Sequence, residues 1–147
     1  MSHPCSGVIL SGGLSTRFNG RNKALIDVGG RCILDRLYGI FSELFDEIIL
    51  VTNDPLKFVG WDLMIVTDIF PVRSSLTGIH AGLFYMKNQF AFFSACDTPF
   101  LQKDLVAALL EKIDRNQDII MPETAAGMEP LCAIYSKRCL NTAAHHI

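Results

Sequence analysis

Apolar residues in this chain come in short unbroken runs, separated by stretches in which they recur every three or four positions. Runs over residues 7–10, 47–52 (EIILVT), 63–67, 90–95 (FAFFSA), 118–121 and 131–135 have the length of strands. They are continuous rather than alternating, which predicts a sheet buried on both faces. Between them, residues 33–44 place Ile33, Leu37, Ile40, Phe41 and Leu44 on one helical face. Residues 77–87 do the same with Ile79, Leu83 and Met86, and residues 105–113 with Leu105, Ala108, Leu109 and Ile113. Strand–helix alternation of this kind predicts a mostly parallel α/β layer fold with right-handed crossovers. The final stretch, SKRCLNTAAHHI, begins like a helix and stops without a partner. A further strand or helix is expected to complete the layer, so the chain is expected to be shortened at its C-terminus.

The totals narrow the picture. A chain of 147 residues, half of them hydrophobic, is long enough for one domain with a substantial core. A net charge of −2 argues against nucleic acid or an anionic membrane as a partner engaged through bulk charge. The five cysteines are scattered and never spaced CxxC, which gives no disulfide or metal–thiolate framework; Cys96 and Cys132 fall in apolar runs and are expected in the core. Residues 1–6 lack the apolar segment of a secretion signal, and no apolar run is long enough to span a bilayer, so a cytoplasmic location is expected.

Charge is unevenly placed. Arg17, Arg21, Lys23, Arg31 and Arg36 put five of the 13 cations into one segment, and no acid lies between Ser2 and Ile26. A local basic patch on a nearly neutral protein suits a small polyanion better than a polymer.

In an open α/β sheet, ligands bind beyond the carboxyl ends of the strands. The loop that starts at Ser11 follows the first run, and its paired Gly12-Gly13 lets backbone N–H groups approach a phosphate or a base. Arg17 adds a planar guanidinium fork and Lys23 a compact point charge. The spacing is neither GxGxxG nor GxxxxGK[ST], and an ordinary glycine turn with solvated cations has the same composition.

Asp97 follows the FAFFSA run at the same edge, where a carboxylate is a hard oxygen ligand for Mg²⁺; the competing role is a helix start capped by Asp97 or Thr98 before Pro99. Asp68 ends the third run and faces a base, a ribose, a metal-bound water or solvent. Thr52 and Asn53 end the second run, and TNDP there is turn chemistry as well as a source of amide groups for a nucleotide. Polar groups converging at one rim of an apolar sheet form the natural candidate site. His80 is expected on a polar helix face, and His145-His146 at a solvated terminus.

LSGGLSTRFNGRNKAL resembles the LxGGxSxRxGxxK signature of nucleotidyltransferases of the molybdenum cofactor guanylyltransferase type. TDIFPVRSSLTGIHAGL, SACDTPFL and EPLCAIY resemble later blocks of that family in the same order, so the resemblance covers nearly the whole chain. It implies a Rossmann-like, three-layer nucleotidyltransferase fold with a mostly parallel sheet. The implied reaction uses GTP and Mg²⁺ and transfers GMP to molybdenum-bound molybdopterin, releasing pyrophosphate.

By position, the resemblance sets Leu10, Ser11, Gly12 and Gly13 against guanine and phosphates, Lys23 on phosphate, Asp68 on the nucleotide and Asp97 on the metal. A nucleotide-binding Asn falls on Thr52 or Asn53, and Asn53 is taken. Arg17 and Lys23 would neutralise the departing pyrophosphate, which makes Arg17, Lys23 and Asp97 the expected catalytic groups. The Gly12-Gly13 pair resembles the guanine-selecting loop rather than the Ala-Ala-Gly type of related cytidylyltransferases. Ser74-Ser75 replaces a Gly-Pro of the family, a change expected to loosen that loop. Partners implied are GTP and molybdenum–molybdopterin, with transient contacts to cofactor-assembly proteins or acceptor enzymes. The alternatives are a nucleotidyltransferase for a cytidyl, sugar-phosphate or isoprenoid substrate, and a non-catalytic GTP-binding assembly protein.

Overall fold

All six apolar runs form strands of one sheet: β1 (Cys5–Leu10), β2 (Ile48–Val51), β3 (Met64–Val66), β4 (Phe90–Ala95), β5 (Ile119–Ile120) and β6 (Cys132–Ser136). The computed structural model describes residues 4–11, 17–18, 21–98 and 100–147, with the side chains of 17–18 and 21–23 outside the description. Strand order is β3-β2-β1-β4-β6-β5. The first four strands run parallel, with Leu10 opposite Val51 on one side and Ala95 on the other. β6 runs antiparallel to both β4 and β5, so the sheet is mostly but not wholly parallel.

The sheet is covered on both faces, as continuous apolar strands require. On one face, α1 (Ile33–Leu44) and α3 (Lys103–Glu111) bury Leu34, Leu37, Phe41, Val106 and Leu109 against Ile9, Leu50, Phe92 and Ile134. On the other, α2 (Ser75–Tyr85) buries Ile79, Ala81 and Leu83 against Val8, Ile49, Phe93 and Ala133. Two glycines allow this close approach: a Cβ on Gly7 would lie 2.5 Å from the rings of Phe41 and Phe45, and one on Gly82 2.6 Å from Phe93.

Three details differ from the sequence expectations. α2 starts at Ser75 rather than Thr77, because the Ser74 hydroxyl accepts the Thr77 N–H at 3.1 Å and caps the helix. This serine organises the helix entry instead of loosening it. α3 buries Val106 rather than Leu105, which is 41% exposed. Finally, the C-terminal segment does find a partner: α4 (Leu140–His145) packs on α2 and buries Ala143. That second cover explains why α2 is buried without a break from Thr77 to Leu83.

The five cysteines are free, consistent with their scattered spacing. Burial pushes the Cys5 thiol up to about 12, which keeps it protonated and inert. Among the described residues, no helix is long and apolar enough to cross a membrane.

Candidate functional site

The carboxyl ends of β1 to β4 form one rim, and each strand is extended there by a polar continuation. Ser11 continues β1: its N–H donates to Val51 O at 2.8 Å and the residue is 2% exposed. Cys96 N–H donates to Leu10 O at 3.0 Å and so carries β4 one residue further along β1. Leu10 and Ser11 are therefore fixed in the central strand rather than in a free loop. Gly12 and Gly13 lie outside the described residues, as do the side chains of Arg17 and Lys23. The backbone of Arg17–Phe18 pairs with Arg21–Asn22, and Lys23–Leu25 forms a 3₁₀ turn.

At the end of β2 the turn itself separates the two nucleotide-contact options. Thr52 is fully buried; its Oγ1 accepts the Asp54 N–H at 3.0 Å and its own N–H donates to Val66 O at 2.9 Å. Thr52 thus builds the turn. Asn53 instead turns its side chain along the rim, where Nδ2 donates to Asp68 Oδ2 at 3.4 Å. Asn53, Asp68, Phe70 and Arg73 line an open cavity of about 400 Å³. Burial raises the Asp68 pKa, opposed by the Asn53 hydrogen bond and the Arg73 charge. The other oxygen, Asp68 Oδ1, is shielded from solvent and has no partner among the described residues. An acceptor held in this way is ready for a donor from a ligand.

Asp97 projects from the turn after β4 and is exposed. That turn is locked without its help: Thr98 Oγ1 lies 2.8 Å from Ala95 O, to which it donates, and 2.9 Å from Ser94 Oγ. The capping alternative for Asp97 or Thr98 falls away, because α3 begins only at Lys103 and its N-cap position is Gln102. Among the described residues the Asp97 carboxylate makes no hydrogen bond or ion pair. No cluster of three His, Cys, Asp or Glu side chains exists among those residues either. A metal held here would lean on one carboxylate and on ligand oxygens, which is the usual habit of Mg²⁺. From β3 to β4 the rim crosses three strand spacings, roughly 14 Å, an extent suited to a base, a ribose and a phosphate chain laid side by side.

Two cations of the basic segment serve the fold instead. Arg36 donates to Val28 O and Gly29 O, and Arg31 Nη2 donates to Asp35 O at 3.0 Å. They clamp α1 to a tight hairpin, whose turn needs the positive φ of Gly29 (62°) and Gly30 (89°). Arg73 is the charged rim residue that sequence reasoning passed over. It follows Pro71 in an irregular stretch, so only its nearness to Asp68 in the chain could have marked it.

His80 is also corrected. It is 5% exposed, not on a polar face, and lies edge-on to Phe70 with ring centres 4.8 Å apart. Burial lowers its pKa and favours the neutral imidazole.

Residues 7–147 match the family model for the MobA-like NTP transferase domain. A molybdenum cofactor guanylyltransferase from Desulfosudis oleivorans is 44% identical over 97% of this chain and 70% of its own length. A probable molybdenum cofactor guanylyltransferase from Clostridium perfringens is 37% identical over 91% of this chain and 67% of its own. Among solved structures, molybdopterin-guanine dinucleotide biosynthesis protein A from Archaeoglobus fulgidus superposes with a TM-score of 0.80 at 20% identity. That match covers 97% of this chain and 72% of the other, and it shows the shared fold.

Proposed function

Because this chain belongs to the MobA-like NTP transferase family, we propose that it is a nucleotidyltransferase that moves GMP from GTP to molybdenum-bound molybdopterin. The products are the molybdopterin guanine dinucleotide cofactor and pyrophosphate, formed in the cytoplasm. The observation that carries this reading is the row of polar strand ends along one rim: Asn53 and Asp68 joined by a hydrogen bond, and Asp97 exposed and unpaired among the described residues.

In this reading residues 1–147 act as one nucleotidyltransferase domain. Leu10, Ser11, Gly12 and Gly13 bear on the guanine and phosphates, while Asn53 and Asp68 hold the nucleoside. Asp97 holds a divalent cation, Mg²⁺. The bound cation supplies positive charge to the phosphate oxygens.

The reaction needs no covalent protein nucleophile. An oxygen of the substrate's terminal phosphate attacks the α-phosphorus of GTP, a new P–O bond forms, and the α–β bridging bond breaks. The electron pair leaves with pyrophosphate. Two polyanions repel, so the protein's contribution is to align them and neutralise charge. Lys23 and Arg17 serve the leaving pyrophosphate.

The test is pyrophosphate release by the purified chain given GTP, Mg²⁺ and molybdenum–molybdopterin, alongside thermal shifts with GTP, CTP, UTP and ATP. GTP-dependent release with the largest shift for GTP is expected. Stabilisation by GTP without release would leave a binding protein, and preference for CTP would change the substrate.

A further inference from the structure

We propose that the opposite rim of the sheet carries a second anion site, which takes the phosphoryl group of a small molecule between Arg115, Arg138 and Lys87. The proposal does not depend on the nucleotide reading, because the two rims are separated by the full length of β1, roughly 20 Å. A cavity of about 480 Å³ opens where β1 and β4 begin and β6 ends, a volume in the range of small-molecule sites. Lys87, Arg115 and Arg138 line it together with Asn88 and Ser136, while Pro4 and the buried Phe90 give it an apolar wall. Among the described residues no acid lines it, although the whole chain has a net charge of −2.

The cations stand on a fixed frame. Glu47 Oε1 accepts the Ser6 hydroxyl at 2.6 Å and the Lys87 N–H at 2.8 Å, and Asn88 Nδ2 donates to Ser6 Oγ at 3.0 Å. The Lys137 ammonium donates to Met86 O and its N–H to Gln89 O, each at 2.8 Å. The turn from Met86 to Gln89 is thereby tied to β1, β2 and β6.

Arg138 is braced by Asp118 through Nε at 2.7 Å and by Gln117 O through Nη2 at 3.0 Å. A guanidinium has five N–H donors, so this bracing orients the fork and leaves donors for a ligand. Among the described residues, Arg115 and Lys87 form no ion pair. Lys87 also borders a neighbouring cleft with Asp46, Glu47 and Asp62, and Arg138 a second one with Asp118 beside α4, so Arg115 is the cation that lines this cavity alone and Arg138 reaches it from its brace on Asp118. Two guanidinium groups, a buried hydroxyl and a small apolar wall match a phosphate ester better than a bare halide or a neutral sugar.

The experiment is amide NMR of the full chain, with GTP and Mg²⁺ present to occupy the nucleotide rim. Ribose 5-phosphate, inorganic phosphate and sodium chloride of equal ionic strength are the titrants. Saturable shifts at Gln89, Phe90, Ser136 and Arg138 are expected with both phosphates, tighter for ribose 5-phosphate. A Lys87→Gln, Arg115→Gln double variant should keep its Tm and bind at least about tenfold more weakly. Equal shifts with chloride, shifts confined to Asn53 and Asp68, or unchanged affinity in the double variant would each overturn the proposal.

Discussion

At its N-terminal rim the sheet answers most of its own polar groups: Ser6, Glu47, Lys87 N–H, Asn88 and Lys137 form hydrogen bonds that tie three strands to one turn. At the C-terminal rim the same strands end in groups that find fewer partners. Among the described residues Asp68 Oδ1 is shielded and unsatisfied, and the exposed Asp97 carboxylate has no partner. One rim is tied across three strands by its own side chains, and the other leaves its strand ends less tied to one another. Polar groups without partners reduce stability, and each rim keeps one shielded from solvent: Asp68 Oδ1 beside its cavity and Glu47 Oε2 inside the opposite frame.

The sharpest way to break this comparison is Asp97→Ala. Transfer should fall by on the order of 10²–10³ while the thermal midpoint stays put, read by pyrophosphate release and calorimetry on one preparation. A stability loss with retained transfer would move Asp97 into the framework. Glu47→Ala probes the other rim, where it strands the Ser6 hydroxyl and the Lys87 N–H. A loss of about 2 kcal/mol in denaturant unfolding is expected, with GTP affinity unchanged.

Ser74→Ala, at the entry to α2, removes a cap and should cost about 1 kcal/mol in the same assay. The smallest effect sharpens the contrast through pH. Folding raises the Asp68 pKa, so its contribution to stability is present in acid and lost as pH rises through the folded value. Asp68→Asn should therefore raise Tm at neutral pH, and the gain should vanish below the carboxylate range. The same variant should weaken GTP binding by titration calorimetry.

Much of the frame was legible because two-sided burial writes itself as unbroken apolar runs, and each such run became a strand. Helix starts were less so, since Ser74 acts through a hydroxyl and the first turn of α3 is polar. Periodicity also could not tell that Val106, not Leu105, turns inward. The small residues of α2 serve the sheet, since a Cβ on Gly78 would meet Leu10 and one on Gly82 would meet Phe93, while Leu76, Ile79 and Leu83 lie beside Ala143 of α4.

At the site, a strand end predicts where Asn53, Asp68 and Asp97 emerge, because sheet geometry alone puts them on one rim. Composition could not foresee that Thr52 would be absorbed into a turn, or Arg31 and Arg36 into backbone carbonyls. Those outcomes depend on which acceptors happen to be close in space.

The margins of the sheet have a consequence of their own. On one side it finishes with Met64–Val66 and on the other with Ile119–Ile120, two very brief stretches. An intruding chain seeking to extend the ladder would find only a few rungs to grip, so concentrated solutions of this protein have little backbone through which to polymerise.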